Sequence, residues 1–102
     1  MISKLFTNNG VTTLRNTRSG FSNYSIDVSG LGVKIKEGNG GQNSHASAIL
    51  ELDSTTQGVL FPRMTEGDRT SIASPATGLI VYQTDGDEGL YIYKSTGWLQ
   101  II

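Results

Sequence analysis

The sequence contains no cysteine, so no disulfide staples the chain and no thiolate chemistry or cysteine-based metal site is available to it. It has a single histidine, His45, so one chain cannot build a histidine-rich zinc site. Charge is sparse and balanced, with a net charge of -1, and no strong field draws the protein to nucleic acid or to a membrane surface. Nowhere does an apolar run approach the roughly 18 residues of a membrane-crossing helix. The opening "MISKLFTNNG" has one lysine and no apolar stretch, so no secretory signal is expected, and Met1 reads as the start of a whole gene product. Hydrophobic residues make up 36% of the 102 residues, which suits one small domain whose core is thin when the chain is alone. Association with further copies is one remedy.

What is there falls into two parts. Ser, Thr, Asn and Gly supply 23 of residues 1–45, a share that marks this part as polar and turn-rich. Residues 1–45 carry a net charge of +3 and residues 46–102 a net charge of -4, a split that suits chance better than it suits head-to-tail contact between copies. The join is "EGNGGQNSH", residues 37–45, polar and without a strand period. We place the boundary there, between a polar β-rich segment, 1–45, ending in a Gly/Asn-rich linker, and a more apolar segment, 46–102.

The first segment reads as short strands. Ile2, Lys4 and Phe6 share one parity, "TNNG" supplies a turn with Asn9-Gly10 suited to positive φ, and "VTTLR" returns as a partner strand. Tyr24, Ile26 and Val28 alternate with Ser25 and Asp27, and after "SGLG" the period resumes at Val33 and Ile35. Such strands suit a fibrous or interlocked β-structure, or an arm that orders on a partner.

The second segment is more specific. "ASAILELD" alternates, "STTQG" turns, and "VLFPRM" is extended, with Pro62 restricting it to a sheet edge or an irregular stretch. "TEGDRTSIA" is the one helix expected, about residues 65–74, with Thr65 as N-cap, Asp68 placed for a capping box and Pro75 as the stop. "LIVYQT" and "LYIYKS" around "DGDEG" predict a hairpin over about residues 79–94, and "LQII" a last strand.

Candidate sites are few. Asp85, Asp87 and Glu88 are bunched in "DGDEG" rather than spaced like calcium ligands, and read as turn residues. His45 reads as a solvated linker residue, although three copies would bring three histidines near a common axis. Tyr82, Tyr91, Tyr93 and Trp98 offer aromatic surface for a glycan or a protein partner, or else pack within the sheet. The sequon "NYS", residues 23–25, means little without a secretory signal. Glycines 38, 40 and 41 are not followed by the Lys-Ser/Thr of a phosphate loop, and neither HExxH nor GxSxG occurs. No catalytic constellation emerges, so we expect a non-enzyme without cofactor or metal.

The run "AILELDSTTQGVLFPRMTEGDRTSIASPATGLIVYQTDGDEGLYIYKSTGW" closely resembles a segment of fibre proteins of bacteriophages that infect Bacteroidetes, the crAss-like phages among them, and segments of surface proteins of those bacteria. The pattern is carried by Leu50 to Leu52, Ser54 to Thr56, Gly58, Pro62 to Met64, Thr65, Arg69, Ser74 to Gly78, Val81-Tyr82, Thr84-Asp85 and Gly97-Trp98. Phe61 departs from it, standing where a second proline is common. The resemblance covers about half the chain and leaves residues 1–45 unmatched.

It implies a mainly β fold with one short helix, in an intertwined homotrimeric assembly of short strands and hairpins. The trimer core is then drawn from Leu50, Leu52, Val59, Leu60, Ile72, Leu79, Val81, Leu90 and Ile92. It implies a virion protein such as a compact head fibre or capsid decoration, with residues 1–45 docking on a capsid or other virion protein. A tail-fibre adaptor or a carbohydrate-binding adhesive module contacting host glycans through Tyr82, Tyr91, Tyr93 and Trp98 is the alternative.

Overall fold

A computed structural model describes residues 4–15, 24–38 and 41–102. Ile2 and Asn23 of the sequon lie outside them, as does Gly40. The described residues form nine strands and one short helix, divided into two compact units, 1–57 and 58–102. The division falls after Gln57, beyond the Gly/Asn-rich stretch, because that stretch is a crossover inside the first unit.

The first unit is one sheet in the order β1-β2-β3-β4-β5, made of Lys4–Asn8, Val11–Arg15, Tyr24–Val28, Val33–Glu37 and Leu50–Asp53. β1 to β4 run as an antiparallel meander, and β5 lies parallel to β4. The β1–β2 turn is where the sequence puts it, because Asn9 and Gly10 both adopt positive φ, 51° and 78°, as a tight hairpin turn requires. A parallel neighbour needs a long connection, and residues 38–49 supply it.

This sheet reverses the usual alternation of apolar-in and polar-out. In β3 the buried residues are Ser25 and Asp27, while Tyr24, Ile26 and Val28 are exposed. Asp27, 1% exposed, accepts from Thr13 Oγ1 at 2.6 Å, from Gly41 N at 2.9 Å and from Gln42 N at 3.5 Å. A buried carboxylate is tolerated only when donors surround it, and here two of the donors belong to the crossover. Asp27 therefore pins residues 41–42 onto the polar face. Glu51 anchors the next part, accepting from His45 N at 2.5 Å and pairing with Lys34 Nζ at 2.9 Å. Gly32 sits where Ile49 O and Ala48 O pass within 2.6–2.7 Å of the place a Cβ would occupy, so only glycine fits.

The second unit is a sheet in the order β6-β7-β8-β9, from Arg63–Met64, Ile80–Gln83, Gly89–Lys94 and Gly97–Gln100. β6 is a two-residue edge strand directly after Pro62, parallel to β7, and β7, β8 and β9 form an antiparallel meander. The helix α1, Glu66–Thr70, lies in the β6–β7 connection. Thr65 caps it by accepting from Asp68 N at 3.2 Å. It ends before Pro75, shorter than the sequence pattern suggests, because Ser71 closes it by bonding back to Asp68 O. Among the described residues no helix is long and apolar enough to cross a membrane.

Candidate subunit interface

Strand pairing sorts every side chain of the first sheet onto one of two faces, since successive residues point to opposite sides. The polar face carries Val11, Thr13, Ser25, Asp27, Lys34, Glu51 and Asp53, and the crossover covers it. The opposite face is mainly apolar, and its residues align in a central row flanked by a second row on one side and by Tyr24 and Glu37 on the other. Leu5, Leu14, Ile26, Ile35 and Leu52 are paired neighbours in one row; Thr7, Thr12, Val28, Val33 and Leu50 form the other. Leu5, Ile26, Val28, Ile35, Leu50 and Leu52 are all exposed. Contiguous apolar surface on this scale marks a place where something else docks.

The second sheet repeats the plan. One face is covered by α1 and holds a closed cluster. Arg69, 7% exposed, donates from Nε to Gln83 Oε1 at 2.6 Å, and its guanidinium lies 4.2 Å over the Tyr91 ring and 5.2 Å from that of Trp98. Gln83, 0% exposed, donates in turn to Asp85 O at 2.8 Å, and the Tyr91 hydroxyl donates to Asp87 O at 2.7 Å, so the "DGDEG" turn is shaped from below. Asp85 also accepts from Glu66 N at 2.7 Å. Trp98 packs edge-on to Tyr93, with ring centroids 5.2 Å apart.

The other face carries Ile80, Tyr82, Leu90, Ile92 and Leu99 in paired register. Val59, Leu60, Phe61, Arg63, Tyr82 and Leu90 line a recess of about 230 Å³ on this side. Leu79, Leu99, Ile101 and Ile102 add exposed apolar surface. Fully burying one exposed side chain of this kind is worth about 1.5–3 kcal/mol, so these faces hold hydrophobic stabilisation that the single chain does not use.

The residues expected at the interface divide accordingly. Leu50 and Leu52 sit on the bare face of the first sheet, and Leu90 and Ile92, both half-buried, on the partly covered face of the second. Val59, Leu60 and Leu79 are exposed and Ile72 is half-buried. Val81 differs: it shares the helix-covered face with Tyr91 and is buried inside its own chain. The aromatic quartet is not one platform. Tyr91 is buried under Arg69 and Tyr82 points to the opposite face, with its hydroxyl donating to Glu88 at 2.7 Å. That bond to the carboxylate raises the Tyr82 pKa. His45 is exposed on the crossover, its Nδ1 2.9 Å from Ser47 Oγ. Among the described residues no group of three His, Asp or Glu is placed to hold a metal ion.

Sequence reasoning did not single out Asp27, Thr13 or Gln83. Asp27 shares its strand parity with Ser25, and nothing local marks that polar set as the one that turns inward.

Two sheets, each with one face closed by its own chain and an apolar face left open in the first and partly open in the second, define a module built to associate. The comparison with protein families agrees: residues 38–102 match the phage tail like trimerisation region, and the chain belongs to that family. Membership supports a phage fibre-type structural protein, self-association as a homotrimer and a virion-associated location. No curated protein and no solved structure matches the chain.

Proposed function

We propose that the protein is a small trimeric head fibre or capsid-decoration protein, non-catalytic, that docks on the particle through residues 1–45 and projects outward. The observation that carries this reading is the uncovered apolar face of the first sheet, with the partly open one of the second, in a chain of the trimerisation family. Alone, the chain leaves Leu50, Leu52, Leu60 and Leu99 in water; three copies remove them from it. The arrangement of the aromatic residues gives the adhesive alternative no comparable support, because Tyr91 is used internally and Tyr82 faces away from Tyr93 and Trp98.

The test uses the full chain, which has no cysteine of its own. Light scattering after gel filtration is expected to give three times 10.9 kDa. A bulky polymer is then attached at Asn8→Cys or, separately, at Ser95→Cys in the β8–β9 turn, and binding to particles lacking the protein is imaged with a gold label. Docking through the N-terminal segment predicts that the polymer at position 8 blocks binding and the one at 95 does not, with gold on the capsid. The reverse pattern, or gold on the tail, overturns the proposal.

A further inference from the structure

The family match begins at residue 38, so β1 to β4 lie outside it. Yet the apolar face of the first sheet does not stop at that limit. Leu50 and Leu52 on β5 belong to the matched region and pair with Val33 and Ile35 on β4, which pair in turn with Val28 and Ile26 on β3. The central row runs on to Leu14 and Leu5 without a polar residue, while the row beside it ends in Thr12 and Thr7. From this continuity we infer that the trimer contact extends beyond the family's region: the β1–β5 face of one chain packs against the same face of two other copies around a common axis.

Three observations favour copies of this chain over another occupant. The face joins, through one hydrogen-bonded sheet, the region whose family is defined by trimerisation. The sheet's other face is already closed, with Asp27 bonded to Gly41 and Gln42 and Lys34 bonded to Glu51, so this is the surface left to bury. The apolar face also matches a self-complementary contact chemically. Its central row holds aliphatic side chains throughout, and the one carboxylate on the face, Glu37 beside that row, is already bonded to Ser54 and Thr56 of the same chain.

This placement has two corollaries. His45 lies with Glu51 on the polar face, hence on the side away from the axis, so three histidines do not converge there. Docking to the particle then falls to the β1 edge and the Asn9–Gly10 turn rather than to the apolar face.

The inference rests on the trimeric reading above, and single cysteines separate the two. Ile26→Cys and Ile35→Cys place a thiol on the inferred contact outside the matched region; Gln42→Cys places one on the exposed crossover. Each native protein is treated with a soluble polymer-linked maleimide and, separately, with a short trifunctional maleimide. The expected result is a trimer in which the thiols at 26 and 35 react at least tenfold more slowly with the polymer than the thiol at 42. The short trifunctional reagent joins three chains at 26 or 35 but not at 42. A trimer in which all three thiols react equally fast, with no three-chain product, overturns the inference and leaves the trimer standing. A monomeric wild-type protein overturns both. Should Ile26→Cys alone fail to fold, Ile35→Cys decides.

Discussion

Nε of Arg69 donates to Oε1 of Gln83 at 2.6 Å, and through this bond the helix is held on the sheet of the C-terminal unit. Both side chains are buried, and the guanidinium is also stacked on Tyr91 and near Trp98. Arg69→Lys removes the planar group and its directed Nε–H while keeping the charge. We expect a loss of about 2–3 kcal/mol from the C-terminal unit. Trp98 is the only tryptophan, so its fluorescence during urea unfolding reports that unit alone. An unchanged midpoint would show that the cluster does not hold the helix.

Gly32 makes a second point of close fit. Gly32→Ala drives a methyl group to 2.6 Å from Ile49 O, and the crossover must lift. The expected cost is about 2–4 kcal/mol. Gly30→Ala is the control: nothing lies within 4 Å of the added carbon, so its effect stays within about 0.5 kcal/mol. Circular dichroism melts of both variants check this, and equal melting points would contradict the close approach.

Acid is expected to loosen the first unit. The hydrogen bond from Lys34, with that from His45 N, holds Glu51 below the usual carboxylate range, and hydrogen bonds from Ser54 and Thr56 do the same for Glu37. A carboxylate whose pKa is lowered by folding stabilises the fold above its unfolded value, and that contribution disappears as pH falls through the folded value. Stability of this unit should therefore drop as pH is taken down from the carboxylate range, and less steeply in the Glu37→Gln, Glu51→Gln double variant. Both carboxylates are half-buried and still reached by solvent, so the effect is small and shrinks with salt. Parallel pH profiles for the wild-type and the double variant would count against it.

Melting temperature should rise with protein concentration, because trimer formation is coupled to folding by mass action. Calorimetry across a hundredfold concentration range checks this. Leu52→Asp, placed on the bare face of the first sheet and within the family's region, should abolish the dependence and lower the mass on gel filtration. A concentration-independent transition in the wild-type would remove assembly from the account of stability.

Much of the local structure was legible in the sequence. The Asn9-Gly10 turn, the Thr65 cap, the edge position forced by Pro62 and the 80–94 hairpin all follow from local chemistry that no tertiary contact had to override. The orientation of the strands was less accessible. The alternation around Ile26 specifies a period of two but not which set of residues turns inward, and that choice is made by Asp27 binding a crossover more than a dozen residues away. The same holds for Val81. Its alternation with Tyr82 is plain, but the face it occupies depends on Arg69 bringing the helix over Tyr91. The boundary after Gln57 was hidden for a related reason: the Gly/Asn-rich stretch looks like a linker until Asp27 and Glu51 are seen to hold its second half in place.

The polar lock beneath the crossover has a consequence for the order of assembly. Thr13, Asp27, Gly41 and Gln42 fix the registration of β2 and β3 and the path to β5 with directional bonds inside a single chain. Apolar contact is indifferent to a slip of two residues, since Leu, Ile and Val substitute for one another along a row; a carboxylate with matched donors is not. Each chain can thus settle its alignment before it meets its companions, and the greasy side acts only as glue between parts already cut to shape.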